Sequence, residues 1–180
     1  MRIVAGAWRG RTLVAPPGQA TRPTAERVRQ PLFDMLLHAP WGGRDLLEGA
    51  RVLDAFAGTG ALGLEALSRG AAEGVFFETD PAALAALRAN IAACRANARL
   101  FARDVTAPPP GLPCGLLFLD PPYGRELIPR ALAALAGAGW IAPGAVAVTE
   151  VARGEALASP GTLLAERSHG AARLGVWRLG

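Results

Sequence analysis

The stretch Asp54-Ala55-Phe56-Ala57-Gly58-Thr59-Gly60-Ala61-Leu62-Gly63 decides how this chain is read. It follows Arg51-Val52-Leu53 and precedes Leu64-Glu65-Ala66-Leu67, a helical pattern. Its glycines fit G-x-G-x-x-G between a strand and a helix, which allows a tight turn and close approach of backbone to a nucleotide-like ligand. The spacing alone does not separate a dinucleotide from another adenosine cofactor. Asp54 bears on that choice, because a carboxylate four residues before Gly58 would repel a pyrophosphate and attract an ammonium group. That favours S-adenosylmethionine, which is cationic and carries no phosphate. Glu78 ends the next apolar run, Val75-Phe76-Phe77, 20 residues after Gly58. An acid is expected about there to bind ribose hydroxyls.

Downstream, Leu116-Leu117-Phe118-Leu119 runs into Asp120-Pro121-Pro122-Tyr123. Ligands bind at the carboxyl ends of strands in open α/β sheets. Two prolines, each without an N–H and with restricted φ, make a stiff turn whose carbonyls can point outward. A carboxylate and a backbone carbonyl can accept the two protons of an amine while the aromatic ring stacks on its base. The group therefore suits a planar, amine-bearing base, although the same order of residues also makes an ordinary turn.

From residue 51 onward, strands and helices alternate. The pattern predicts strands at 51–55, 74–78, 99–103, 115–119 and 145–151, with helices near 61–69, 81–97 and 126–137. A hairpin turning near His169-Gly170 closes the chain. Such alternation argues for an α/β fold, a mostly parallel seven-stranded sheet covered on both faces with an antiparallel C-terminal edge. Before this core, residues 2–5 and 11–14 read as a β-hairpin. Thr24 is a candidate N-cap for a helix to about residue 38, which Pro31 is expected to kink or restart. The chain reads as one domain (1–180), divided into a basic hairpin and loop extension (1–24) and the core (25–180).

Length and composition bound the rest. With 180 residues, 51% of them apolar, the chain can bury a sizeable core. All 19 cations are arginine. Residues 1–30 hold six of them against the single acid Glu26, whereas the other 150 residues carry 13 arginines and 14 acids. The basic character thus belongs to the N-terminal segment and suggests contacts with nucleic-acid phosphates. Cys94 and Cys114 lie far apart and show no metal spacing, so no zinc site and reduced thiols are expected. Residues 131–149 carry no charge but include Gly137, Gly139, Pro143 and Gly144, and read as a helix end, a turn and a buried strand rather than a membrane span. No signal-peptide core is visible, and the expected location is the cytoplasm.

Three further elements agree in order: Met1-Arg2-Ile3-Val4-Ala5-Gly6-Ala7-Trp8-Arg9-Gly10-Arg11, the stretch Thr21-Arg22-Pro23-Thr24 with Arg27 and Arg29, and the glycine segment continued through Leu64-Glu65-Ala66-Leu67-Ser68-Arg69-Gly70. With Asp120-Pro121-Pro122-Tyr123, the chain resembles the RsmD family of bacterial 16S rRNA guanine-N2 methyltransferases over nearly its whole length. The resemblance implies a class I, Rossmann-like methyltransferase fold. Its substrate would be one guanine of 16S rRNA within the small ribosomal subunit or its assembly intermediate, and the enzyme is expected to be a monomer with no membrane partner. It implies cofactor contacts from Asp54, Phe56, Gly58, Gly60, Gly63, Glu78, Thr79, Asp104 and Val105. Asp120, Pro121, Pro122 and Tyr123 would hold the target base, Tyr123 standing where relatives often have Phe. Arg9, Arg11, Arg22 and Arg27 would contact RNA phosphates. Other readings remain at this stage: N6-adenine methylation of DNA or RNA, methylation of a glutamine amide, a nicotinamide dehydrogenase, or a non-catalytic RNA-binding module.

Overall fold

A computed structural model describes residues 1–16, 23–122, 126–157 and 159–180, with the backbone alone for residues 23–27. Seven strands form one sheet in the order β3-β2-β1-β4-β5-β7-β6. They are β1 (Arg51–Asp54), β2 (Glu73–Glu78), β3 (Ala98–Ala102), β4 (Cys114–Leu119), β5 (Ile141–Ala152), β6 (Gly161–His169) and β7 (Ala172–Leu179). The first five pair in parallel, and β7 joins β5 and β6 antiparallel. The strand order reverses between β1 and β4, so a crevice opens at their carboxyl ends.

Among the described residues, four α-helices cover the sheet: α1 (Pro23–His38), α2 (Ala61–Ser68), α3 (Pro81–Cys94) and α4 (Leu127–Gly137). Strand alternation sorts the core. Val52, Leu116, Phe118, Val146 and Val148 pack with Leu32, Phe33 and Leu36 of α1. Leu53, Val75, Leu117, Leu119 and Ala147 point the other way, toward Ile128, Ala131, Leu132 and Leu135 of α4. Successive residues of a strand alternate faces, so each strand feeds both layers.

Several boundaries differ from those read in the sequence. Helix α1 begins at Pro23, one residue before the expected cap, and it does not restart at Pro31. An interior proline costs roughly 3 kcal/mol. Leu32, Phe33 and Leu36 are buried on the following turn, and each contributes about 1.5–3 kcal/mol. Their burial outweighs the lost hydrogen bond, and Pro31 itself stays exposed. Helix α3 stops at Cys94, where Arg95 takes the left-handed conformation (φ 49°) and the backbone N–H of Ala96 reaches Ile91 O at 3.1 Å. Glycine usually marks such an end; an arginine there left the alanine-rich pattern running on to residue 97. Strand β5 starts four residues early, at Ile141, because its register with β4 shifts between Cys114 and Leu116 around Pro143 and Gly144.

The N-terminal segment pairs as expected and docks on the core. Arg2 and Thr12 form an antiparallel bridge, flanked by Ile3 N–H to Arg11 O and Leu13 N–H to Met1 O, each 2.9 Å. This hairpin packs on α2 and α3. Ile3 and Leu13 are buried with Leu64, Leu67, Phe76 and Leu87. The buried Glu65 carboxylate accepts from the backbone N–H groups of Val4 (2.8 Å) and Ala5 (3.0 Å). Asn90 of α3 accepts from Val14 N–H at 2.7 Å. Among the described residues, no helix is long and apolar enough to cross a membrane.

Candidate functional site

A cleft of about 1130 Å³ opens over the carboxyl ends of the parallel strands. Its wall collects a carboxylate from nearly every strand end. Asp54 follows from β1, Glu78 from β2, Asp104 from the loop after β3, Asp120 from the end of β4 and Glu150 from β5. Parallel strands start and stop together, so acids that are far apart in sequence meet along one line.

The loop after β1 is organised from within. Gly58 N–H donates to Glu78 Oε2 at 2.8 Å, Gly60 N–H to Ala57 O at 2.7 Å, and Gly63 N–H to Asp54 Oδ2 at 3.0 Å. In a phosphate-binding loop those N–H groups would face the anion. Here carboxylates and a carbonyl of the protein take them, so the loop is built for a ligand without phosphate. Of its three glycines only Gly58 borders the cleft. Gly60 (φ 79°) and Gly63 instead permit packing: a Cβ would lie 2.5 Å from Leu87 Cδ1 at Gly60 and 2.4 Å from Phe76 Cε1 at Gly63. Both glycines thus allow close approach of α2 and α3 to the sheet.

Asp54 is buried, and that desolvation pushes its carboxyl up to about 7; the Gly63 hydrogen bond opposes the rise and the nearby Glu78 charge adds to it. A cation in the cleft would supply the missing counter-charge. Glu78 is held in place by the N–H groups of Thr79 (2.7 Å) and Asp80 (2.8 Å) on Oε1, in addition to Gly58. Asp104 accepts from Thr106 N–H and Oγ1, both at 2.8 Å, and these bonds hold its carboxyl below the usual range. Phe56, Thr79 and Val105 also border the cleft, as do Asp120, Pro121 and Pro122. Tyr123 lies outside the described residues.

Three wall residues were not expected at the cleft from the sequence. Arg29, counted there as part of the basic arm, is buried; its Nη2 donates to Arg2 O at 2.7 Å. Glu150 ends the apolar run Ala145–Thr149 in the same way that Asp54, Glu78 and Asp120 end theirs, a signal present in the sequence. His169 is the last residue of β6, and its Nε2 stands 4.0 Å from Glu150 Oε2. Only the antiparallel return of the chain brings it there. Of the arginines expected at RNA, Arg9 is exposed, whereas an Arg11 Nη1–H donates to Ala93 O at the end of α3. Arg22 and the side chain of Arg27 lie outside the described residues.

The chain matches, over residues 1–177, the family described as conserved hypothetical protein 95. It is 40% identical over 153 residues to the ribosomal RNA small subunit methyltransferase D of Escherichia coli K12, spanning 83% of this chain and 74% of that one. The solved structure of Escherichia coli yhhF superposes with a TM-score of 0.85 at 35% identity, covering 99% and 97% of the two chains. The fold is also that of the Thermus thermophilus 16S rRNA N2 G1207 methyltransferase RsmC, solved with AdoMet and guanosine (TM-score 0.65, 19% identity, 91% and 44% covered). With its glycine loop, its line of strand-end acids and its N-terminal hairpin, the chain belongs to the RsmD family of ribosomal RNA small subunit methyltransferases.

Proposed function

We propose that the protein methylates the exocyclic N2 amine of one guanine in 16S rRNA, in the small ribosomal subunit or an intermediate of its assembly, acting as a monomer in the cytoplasm. The observation that carries this reading is the pairing of a phosphate-free cofactor loop with the Asp120-Pro121-Pro122 turn on one cleft. S-adenosylmethionine is the cofactor. The donor set fits it: Asp54 offers charge to a cation, Glu78 offers acceptors to ribose hydroxyls, and Asp104 with Val105 borders the adenine side. When bound, the cofactor supplies an electrophilic methyl group on sulfur.

The protein's own task is to present the amine. A base cannot react inside a helical stack and must be extruded. The N2 lone pair of guanine is delocalised into the ring and is a weak nucleophile. The Asp120 carboxylate and the Pro121 carbonyl accept hydrogen bonds from its two N–H groups, which localises the lone pair and aims it. Tyr123 stacks on the base, a contact worth roughly 1–3 kcal/mol. Orientation and stabilisation of the developing positive charge supply the rate enhancement. Arg9, Arg11, Arg22 and Arg27 contact phosphates, so subunit binding weakens with salt.

The test is transfer of labelled methyl from S-adenosylmethionine to small subunits lacking the modification, followed by nucleoside analysis. N2-methylguanosine at one position supports the reading. Labelled N6-methyladenosine would keep the fold and cofactor but discard the guanine assignment.

A further inference from the structure

Strands β4 and β5 run side by side, and the last pair in their register is Leu119 with Thr149. Continued by one residue, that register brings Asp120, directly after β4, level with Glu150 of β5, and neighbouring strands lie about 4.8 Å apart. Phe118 and Val148 face the α1 layer. Alternation puts positions 120 and 150 on that same side. Both residues border the cleft. Glu150 lies on the side of Asp120 away from β1 and the glycine loop. Behind it, Thr149 is buried and accepts from Trp177 Nε1 at 2.9 Å, which anchors the strand. Ahead of it, His169 Nε2 lies 4.0 Å from its carboxylate, within ion-pairing range when protonated.

Two carboxylates set side by side are a specific kind of reader. The Watson–Crick edge of guanine carries adjacent donors, N1–H and N2–H₂. Adenine presents an unprotonated N1, an acceptor, at the same place. A second carboxylate beside the one that takes an N2 proton therefore attracts guanine and repels a purine whose N1 is bare. Sites that hydrogen-bond a buried substrate group discriminate strongly against analogues lacking it. Resting on the guanine-N2 reading above, we propose that Glu150 accepts the N1–H of the target guanine and sets the choice of base, with His169 positioning its carboxylate.

The test uses small subunits reconstituted with 16S rRNA that carries guanine or 2-aminopurine at the position the wild-type enzyme methylates. 2-Aminopurine keeps the N2 amine but its N1 is an acceptor. The wild type should prefer guanine by at least about a hundredfold in kcat/KM. Glu150→Gln has nearly the same shape, and its amide can rotate to donate to a bare N1. It should lower that preference roughly ten- to hundredfold, the loss expected for one charge-assisted hydrogen bond, while S-adenosylmethionine affinity stays within twofold. His169→Ala should lower the same ratio by a smaller factor, and His169→Gln should restore part of it. An unchanged ratio in Glu150→Gln, with both substrates slowed equally, overturns the inference and leaves the guanine reading standing. A wild-type enzyme that labels no guanine and methylates another base overturns both.

Discussion

Replacing Glu65 by alanine should unlatch the N-terminal hairpin from the fold. Its carboxylate is fully buried, accepts from Val4 and Ala5 N–H at 2.8 and 3.0 Å, and accepts from Arg69 Nε at 2.8 Å, with Arg29 Nη1 at 3.9 Å. Alanine strands two backbone N–H groups and removes the carboxylate partner of two guanidinium groups that are only 3% and 6% exposed. Breaking a buried ion pair from one side costs about 3–5 kcal/mol, a large share of the roughly 5–15 kcal/mol typical of a domain. For a chain of this length each kcal/mol shifts Tm by about 2–4 °C, so a fall of about 6–20 °C is expected. Urea unfolding followed by tryptophan fluorescence gives the free energy. Amide hydrogen exchange at Val4 and Ala5 locates it, since protection there should vanish while β4 and β5 amides lose only the global loss. Glu65→Gln keeps one acceptor oxygen and should fall between. A stability change under about 1 kcal/mol in Glu65→Ala, with Val4 and Ala5 still protected, would show that the carboxylate does not hold the hairpin. The same contacts mean that removing residues 1–20 would strip Ile3 and Leu13 from Leu64, Leu67, Phe76 and Leu87 and take the Val4 and Ala5 N–H donors from buried Glu65. Such a truncation would unsettle the core as well as RNA binding, so point changes at exposed Arg9 are the cleaner probe of phosphate contact.

Asp54 sets a pH dependence. Its carboxyl titrates at about 7 in the folded protein against an ordinary value of 3.8. Between those values the folded chain holds a proton that the unfolded chain has lost, so stability falls as pH rises through this window, by up to about 1.4 kcal/mol per unit. Asp54→Asn should flatten that decline in urea titrations at pH 4–7, and a wild-type profile no steeper than the variant's would remove burial as the cause. A cation is held by the ionised form, so S-adenosylmethionine affinity should climb from pH 6 to pH 8 in the wild type and stay level in Asp54→Asn, read by calorimetry. Gly63→Ala drives a methyl into the Phe76 ring and should cost about 1–3 kcal/mol in thermal unfolding, with cofactor affinity little changed; a large affinity loss at unchanged stability would return Gly63 to the ligand. Asp120→Ala should abolish methyl transfer while cofactor affinity stays within a few fold, and loss of cofactor binding would make Asp120 structural. Tyr123→Phe should be mild and Tyr123→Ala severe in transfer assays, because stacking survives only the first change.

Much of the architecture was legible because it rests on local rules. Strand–glycine–helix spacing located β1, the loop and α2. Apolar runs ending in Asp54, Glu78 and Asp120 located the cleft, since residues at the carboxyl ends of parallel strands share one rim. Periodicity marks where a helix can run but not where its last turn is capped, and Arg95 in a left-handed cap carries no warning in its side chain. At Gly60 and Gly63 the motif also answers a packing demand set by Leu87 and Phe76, residues from other elements.

Taken alone, the sequence determined the fold class, the glycine loop and the place of the Asp120-Pro121-Pro122 turn at a strand end, because each is carried by local pattern along the chain. The tertiary structure decided what the long-range pairings control. It turned an apparent basic arm into a docked hairpin, buried Arg29 and Glu65 beneath it, and aligned Glu150 with Asp120 through the register of β4 and β5. Burial and cross-strand alignment are properties of what surrounds a residue, and no stretch of chain contains its own surroundings.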